Sequence, residues 1–120
     1  MKLFAVLNSV RQAEREHFPF VKSLIDFDII IEVGIAEEEG RPLSLKQLFL
    51  LGISSRTTVR RRLDKLHEQG ILLRQRDGSD GRSTRLLIPP ATLARFNKYG
   101  SLVSAFWREQ ALADALSGAR

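Results

Sequence analysis

Between Pro42 and Ile88 the chain carries an ordered set of start and stop signals that few folds accommodate. Ser44-Leu45-Lys46-Gln47 fits a capping box, in which Ser44 caps a helix and Gln47 reaches back to it, predicting a short helix over 45–51. Gly52-Ile53-Ser54-Ser55 then supplies a glycine-bearing turn and a serine cap. A second helix is predicted from about Ser55 to Gln69, ended by Gly70. Two helices joined by a few residues that include glycine form a helix-turn-helix. Ile71–Arg76 and Arg82–Ile88 flank the turn-rich Asp77-Gly78-Ser79-Asp80-Gly81, predicting a β-hairpin directly behind it.

The flanks read as helices. Leu3, Val6, Leu7, Val10 and Ala13 recur at helical spacing, predicting a helix over 2–16. Asn8, Ser9, Arg11 and Gln12 interrupt the apolar run too soon for a membrane span. The stretch from Val21 to Glu39 is ambiguous in pattern. Phe27, Ile29, Ile31, Val33 and Ile35 alternate as in a strand, whereas Val21, Leu24, Ile25, Asp28, Ile31, Ile35 and Ala36 fall at helical spacing. Its length favours a helix, closed by Gly40. Pro89-Pro90 ends the second strand and starts a last helix over about 91–116. The expected fold is therefore mainly α with a small β-hairpin wing (α+β). It forms one winged helix-turn-helix domain over 1–120: flanking helices in 1–39, the helix-turn-helix and wing in 42–88, and a carboxyl-terminal helix in 91–117.

Charge locates the functional face. Residues 54–88 hold Arg56, Arg60, Arg61, Arg62, Lys65, Arg74, Arg76, Arg82 and Arg85 against only Asp64, Glu68, Asp77 and Asp80, and so carry the whole net +5 of the chain. A focused basic block is the footprint of a polyanion partner. With ~100° per residue, Val59, Leu63 and Leu66 form a narrow apolar stripe and Thr57 and Arg61 fall nearly opposite, with Thr58 and Arg60 on the shoulders. Arginine bonds guanine edges bidentately and threonine offers a hydroxyl or a methyl, the groups a major groove selects. Ser54, Ser55, Arg56 and Arg62 crowd the amino-terminal half of the helix, the end by which recognition helices enter the groove. Asp64 and Glu68 follow later on the outward face. In the wing, Arg82 is placed to enter a minor groove, flanked by Arg76, Ser83 and Arg85.

Leu45-Lys46-Gln47-Leu48, Thr58-Val59-Arg60-Arg61, Leu63-Asp64-Lys65-Leu66 with Gly70-Ile71-Leu72, and Asp80-Gly81-Arg82 together resemble the multiple-antibiotic-resistance-regulator (MarR) class of winged-helix transcription factors, over roughly Pro42 to Ile88. The resemblance implies that Arg82 lies at the minor groove and that Thr57, Thr58, Arg60 and Arg61 read the major groove. It also implies a homodimer formed through the terminal helices, whose apolar surface exceeds what a lone winged helix needs. Pro89-Pro90 departs from the sequence that commonly follows the wing in that class.

The expected partner is double-stranded DNA, bound by Ser54, Ser55, Arg56, Thr57, Thr58, Arg60, Arg61, Arg62, Lys65, Arg76, Arg82, Ser83 and Arg85. No cysteine is present, so thiolate zinc sites and cysteine nucleophiles are excluded and a cytoplasmic setting is expected. His17 and His67 belong to no ligand motif, Asp26 and Asp28 do not share a helical face, and no phosphate loop or nucleophile elbow occurs. No enzyme activity, metal or cofactor is expected, and no convergent polar group marks a pocket for a small effector. Lone Trp107, with Phe96 and Phe106, reads as core or dimer interface. The alternative is a winged-helix module for protein contact or RNA binding, since fold alone does not fix function.

Overall fold

In the computed structural model, which describes residues 1–77 and 83–118, the elements follow in the order α1 (Leu3–His17), α2 (Leu24–Glu38), α3 (Leu45–Leu50), α4 (Arg56–Glu68), β1 (Leu73–Asp77), β2 (Ser83–Leu87) and α5 (Pro90–Gly118). Packing groups them into two units, Phe20–Leu93 and the two terminal segments, Met1–Pro19 with the chain from Ala94 onward.

Local chemistry sets the element ends within Phe20–Leu93. The capping box forms as the sequence suggests: the Gln47 amide donates to Ser44 Oγ at 3.1 Å and the Ser44 amide to Gln47 Oε1 at 2.9 Å. Ser55 caps α4, accepting from the Thr58 amide at 3.2 Å. Behind α4, Gly70 takes φ +75°, a left-handed conformation that only glycine adopts at little cost. The Ile71 amide then bonds to Leu66 O and the Gly70 amide to His67 O, a Schellman closure. That closure engages Ile71 and Leu72, so β1 begins at Leu73 and not at Ile71 as the apolar run suggests. The antiparallel hairpin pairs Leu73 with Leu87 and Arg76 with Thr84, and an isolated bridge between Ser44 and Arg85 ties its second strand to the start of α3.

These elements close on one apolar core: Ile29, Ile30, Val33 and Ala36 of α2, Leu48 of α3, Val59, Leu63 and Leu66 of α4, then Leu72 and Leu86. At ~1.5–3 kcal/mol for each aliphatic side chain removed from water, this cluster is the main stabilising term of the unit. Thr92 enters it and satisfies its hydroxyl by donating to Ile71 O at 2.9 Å.

The helical expectation for α2 holds, but its inward face differs. The buried stripe is Asp26, Ile29, Ile30, Val33 and Ala36, whereas Leu24, Ile31 and Ile35 are exposed. An all-round apolar helix offers more than one stripe of equal quality, so the tertiary partner decides which is buried.

In the terminal unit α1 and the later turns of α5 run antiparallel. The Met1 amino group meets Asp114 at 3.1 Å, the Tyr99 hydroxyl meets Glu14 Oε1 at 3.3 Å, and Arg95 Nη1 donates to His17 O at 3.0 Å. Phe18 is buried there, stacked on Phe96 at 4.3 Å and edge-on to Tyr99 at 4.9 Å, which places Phe96 in the intramolecular packing. Leu3, Phe4 and Leu7 of α1 and Leu112 and Leu116 of α5 are exposed. No described helix is long and apolar enough to cross a membrane.

Candidate nucleic-acid interface

Helix α4 presents two chemically distinct sides. Val59, Leu63 and Leu66 are fully buried, while Arg56, Thr57, Arg60, Arg61, Lys65 and Glu68 face solvent. Because the buried residues fall at i, i+4 and i+7, their packing fixes the roll of the helix and so the direction of the arginines opposite. The exposed side forms a shallow groove along Thr57, Arg61 and Lys65, bounded by Asp64 and Glu68.

The predicted residues divide by what they touch. Thr57, Arg61 and Lys65 are exposed, and no hydrogen bond or ion pair engages their side chains among the described residues. Arg56 and Arg60 stack over the Phe49 ring of α3, their guanidinium carbons 4.7 Å and 5.3 Å from its centroid. Ser54 is half-buried, and Ser55 Oγ donates to Thr58 Oγ1 at 2.9 Å, so both hydroxyls of the Ser55/Thr58 pair serve the helix start. Arg76 is exposed on β1 and is not without a partner. Arg85 is half-buried and donates through Nη1 to Pro42 O at 3.1 Å. Arg82 lies outside the described residues, as does the side chain of Ser83.

Arg62 points the other way. Its Nε and Nη2 donate to the two oxygens of Asp26, a fully buried carboxylate. The Asp26 hydrogen bonds raise the Arg62 pKa above its ordinary value, against burial, which lowers it, and with the help of the Asp26 charge. The side chain is spent on anchoring α4 to α2. A sequence signal for this existed: Asp26 shares a helical stripe with Ile29, Ile30 and Val33, and a carboxylate on a buried stripe needs a cation.

Three residues joined the site without being predicted. Lys46 is exposed on α3 beside Phe49. Phe49 is half-buried, and its role depends on α4 crossing it. Arg74 of β1 forms an ion pair with Asp64, which partly neutralises one of the two carboxylates bordering the arginine face. Among the described residues no cluster of His, Asp or Glu is arranged to hold a metal.

A scan against family models gives no match, and a comparison with curated proteins gives none. Solved structures do match. The apo form of wild-type MarR from E. coli superposes with a TM-score of 0.59 over 97% of this chain and 87% of its own, at 16% identity. The chain has the MarR fold. A probable transcriptional regulator from Pseudomonas aeruginosa follows at TM-score 0.57 and 20% identity, covering 93% of this chain and 80% of its own. A MarR-family transcriptional regulator from Silicibacter pomeroyi matches at 0.54 and 18%, covering 97% and 83%. In the MarR fold as this chain builds it, the basic outer side of α4 and the groove beside α3 lie on the helix-turn-helix, and β1–β2 is the wing.

Proposed function

We propose that this protein is a transcriptional regulator that binds double-stranded DNA in a sequence-specific manner, with α4 in the major groove. The observation that carries the reading is the sidedness of α4: three apolar residues locked in the core and, opposite them, Thr57, Arg61 and Lys65 exposed with side chains free to bond. Thr57 and Arg61 are the proposed readers of base edges. Lys65, Arg56, Arg60 and Arg76 are the proposed phosphate contacts, and Arg82 in the wing the proposed minor-groove contact. Arg62 is assigned to positioning, through Asp26. The likeness to MarR-fold regulators supports the same reading.

The protein is proposed to act as a single functional domain and a homodimer. Exposed Leu3, Phe4, Leu7, Leu112 and Leu116 on the terminal helices give the dimer apolar surface to cover, and a dimer matches a two-fold-symmetric site. Its place of work is the cytoplasm, with the DNA. Catalysis forms no part of the proposal.

Selection of bound duplexes from a random pool, with affinity followed against salt, tests this. A palindromic winner and a steep loss of affinity with salt are expected. Binding that ignores duplex sequence, or that survives high salt unchanged, would favour a protein-contact module. Arg61→Ala is expected to cost ~1–3 kcal/mol on the selected duplex and less on a scrambled one.

A further inference from the structure

We propose that Phe49 is a positioning residue for the DNA backbone: its ring is a shelf that holds Arg56 and Arg60 together, before DNA arrives, as a cation pair for a phosphodiester strand. The proposal rests on the DNA-binding reading and assigns it a part that no feature of α4 alone supplies.

Arg56 and Arg60 are four residues apart on α4, so two positive charges sit one above the other, an arrangement that by itself disfavours the helix. Both guanidiniums are found over the same ring, at 4.7 Å and 5.3 Å. The negative face of the aromatic ring attracts each cation and so offsets their mutual repulsion. It also restricts two side chains that otherwise sample many rotamers, and ordering them in advance lowers what binding must spend on immobilising them. The ring comes from α3 and the arginines from α4, so the pair exists only when the helix-turn-helix has closed.

The surroundings select the ligand. The concavity at this shelf is lined by Ser44, Lys46, Phe49, Arg56, Arg60 and Thr84, which brings three cations from two helices together with two hydroxyls and no carboxylate. The outward groove of α4 shares Arg56 and Arg60 with this concavity but lies on the side of Asp64 and Glu68, so the shelf is the carboxylate-free flank of the two arginines. A surface with concentrated positive charge, hydroxyl donors and no carboxylate to repel them suits phosphate oxygens. The shelf therefore acts on affinity for every duplex, and Arg61 on the choice between them.

Affinity at constant salt for two duplexes, one recovered by selection and one scrambled, separates these roles in the full-length chain. Phe49→Leu, which keeps an apolar side chain but removes the ring, is expected to weaken both duplexes by the same factor, about fivefold to thirtyfold. Phe49→Tyr keeps the ring and is expected to stay within about twofold of wild type. In a chain already carrying Arg56→Ala and Arg60→Ala, Phe49→Leu is expected to cost nothing further, because the ring acts through those cations. The proposal is overturned by wild-type affinity for Phe49→Leu, by a loss confined to the selected duplex, by Phe49→Tyr as weak as Phe49→Leu, or by a loss that persists without the two arginines. Should Phe49→Leu not fold, NMR of the wild-type protein decides: upfield ring-current shifts at the δ and ε protons of both arginines support the shelf, and their absence at either removes it. Wild-type protein that binds neither duplex defeats the DNA-binding reading itself and takes the shelf with it, whereas wild-type protein that binds while Phe49→Leu matches it defeats the shelf alone.

Discussion

Asp26 and Arg62 form a two-pronged ion pair, Nε to Oδ1 at 2.6 Å and Nη2 to Oδ2 at 2.9 Å, that joins α2 to the buried flank of α4. The Lys22 amide adds a third bond to Asp26 Oδ2 at 2.7 Å. Planar guanidinium and planar carboxylate match only in a narrow range of orientations, so the pair resists rotation of α4 about its axis as well as separation from α2. The roll of α4 in turn decides where Thr57 and Arg61 point.

The two partners are unequal, and substitution is expected to show it. Arg62→Ala strands a fully buried carboxylate and should cost about 3–5 kcal/mol in urea denaturation. Asp26→Ala should cost less, because the Arg62 side chain, already 20% exposed, can turn to water. A chain carrying Asp26→Leu and Arg62→Met together should recover most of the stability. Equal losses for the two single variants would contradict the asymmetry of burial.

Ser55 holds the amino end of α4 through Thr58. Ser55→Ala leaves that first turn uncapped and is expected to lower stability by roughly 1 kcal/mol, with Ser55→Asp restoring it. Thermal unfolding followed by circular dichroism reads both. A Ser55→Asp variant that is stable yet binds duplex DNA poorly would further mark this end as the one that meets phosphate.

Gly70 and Gly34 are expected to respond to alanine with opposite sign. At Gly70 the φ of +75° strains any side chain although space is open around it, so Gly70→Ala should destabilise by roughly 1–2 kcal/mol. Gly34 lies inside α2 with nothing near its added methyl, and Gly34→Ala should stabilise by ~0.5–1 kcal/mol. Denaturant midpoints of the two variants should move apart around wild type.

Tyr99 is the single tyrosine of the chain, so phenolate absorbance reports it alone. Burial, then the Glu14 charge and the Glu14 hydrogen bond, push its pKa from 10.0 up to about 12, with Arg11 acting weakly the other way. A raised value means the folded terminal unit favours the protonated phenol. That contribution is complete below pH 10 and disappears as pH climbs toward 12. Spectrophotometric titration should give a midpoint near the upper figure, and Tyr99→Phe should remove this component of alkaline destabilisation. A midpoint at the ordinary value would show that neither the burial of Tyr99 nor its contact with Glu14 persists in solution.

Most of the fold was legible in the chain itself because its signals are local. Ser44 with Gln47, Ser55 and Gly70 act over a handful of residues, and the elements they bound begin and end within a residue or two of where those signals put them, while the Asp-Gly loop past Asp77 lies outside the described residues. The apolar stripe of Val59, Leu63 and Leu66 was equally readable, since α4 has polar residues on every other side and only one face to bury. The charge block identified the segment but not the duty of each member.

That division was decided by long-range packing. Composition and periodicity treat Arg56, Arg60, Arg61 and Arg62 as one basic run, yet only Arg61 is left without a partner among the described residues. Arg62 is claimed by a carboxylate 36 residues earlier, and Arg56 and Arg60 by a ring on the neighbouring helix. The inward face of α2 was settled in the same way, by the elements that pack against Ile29, Ile30, Val33 and Ala36 and bring Arg62 to Asp26. Local sequence determines where a helix starts, stops and turns its only apolar face. A charge finds its partner through space, and spacing along one helix carries no record of what crosses it.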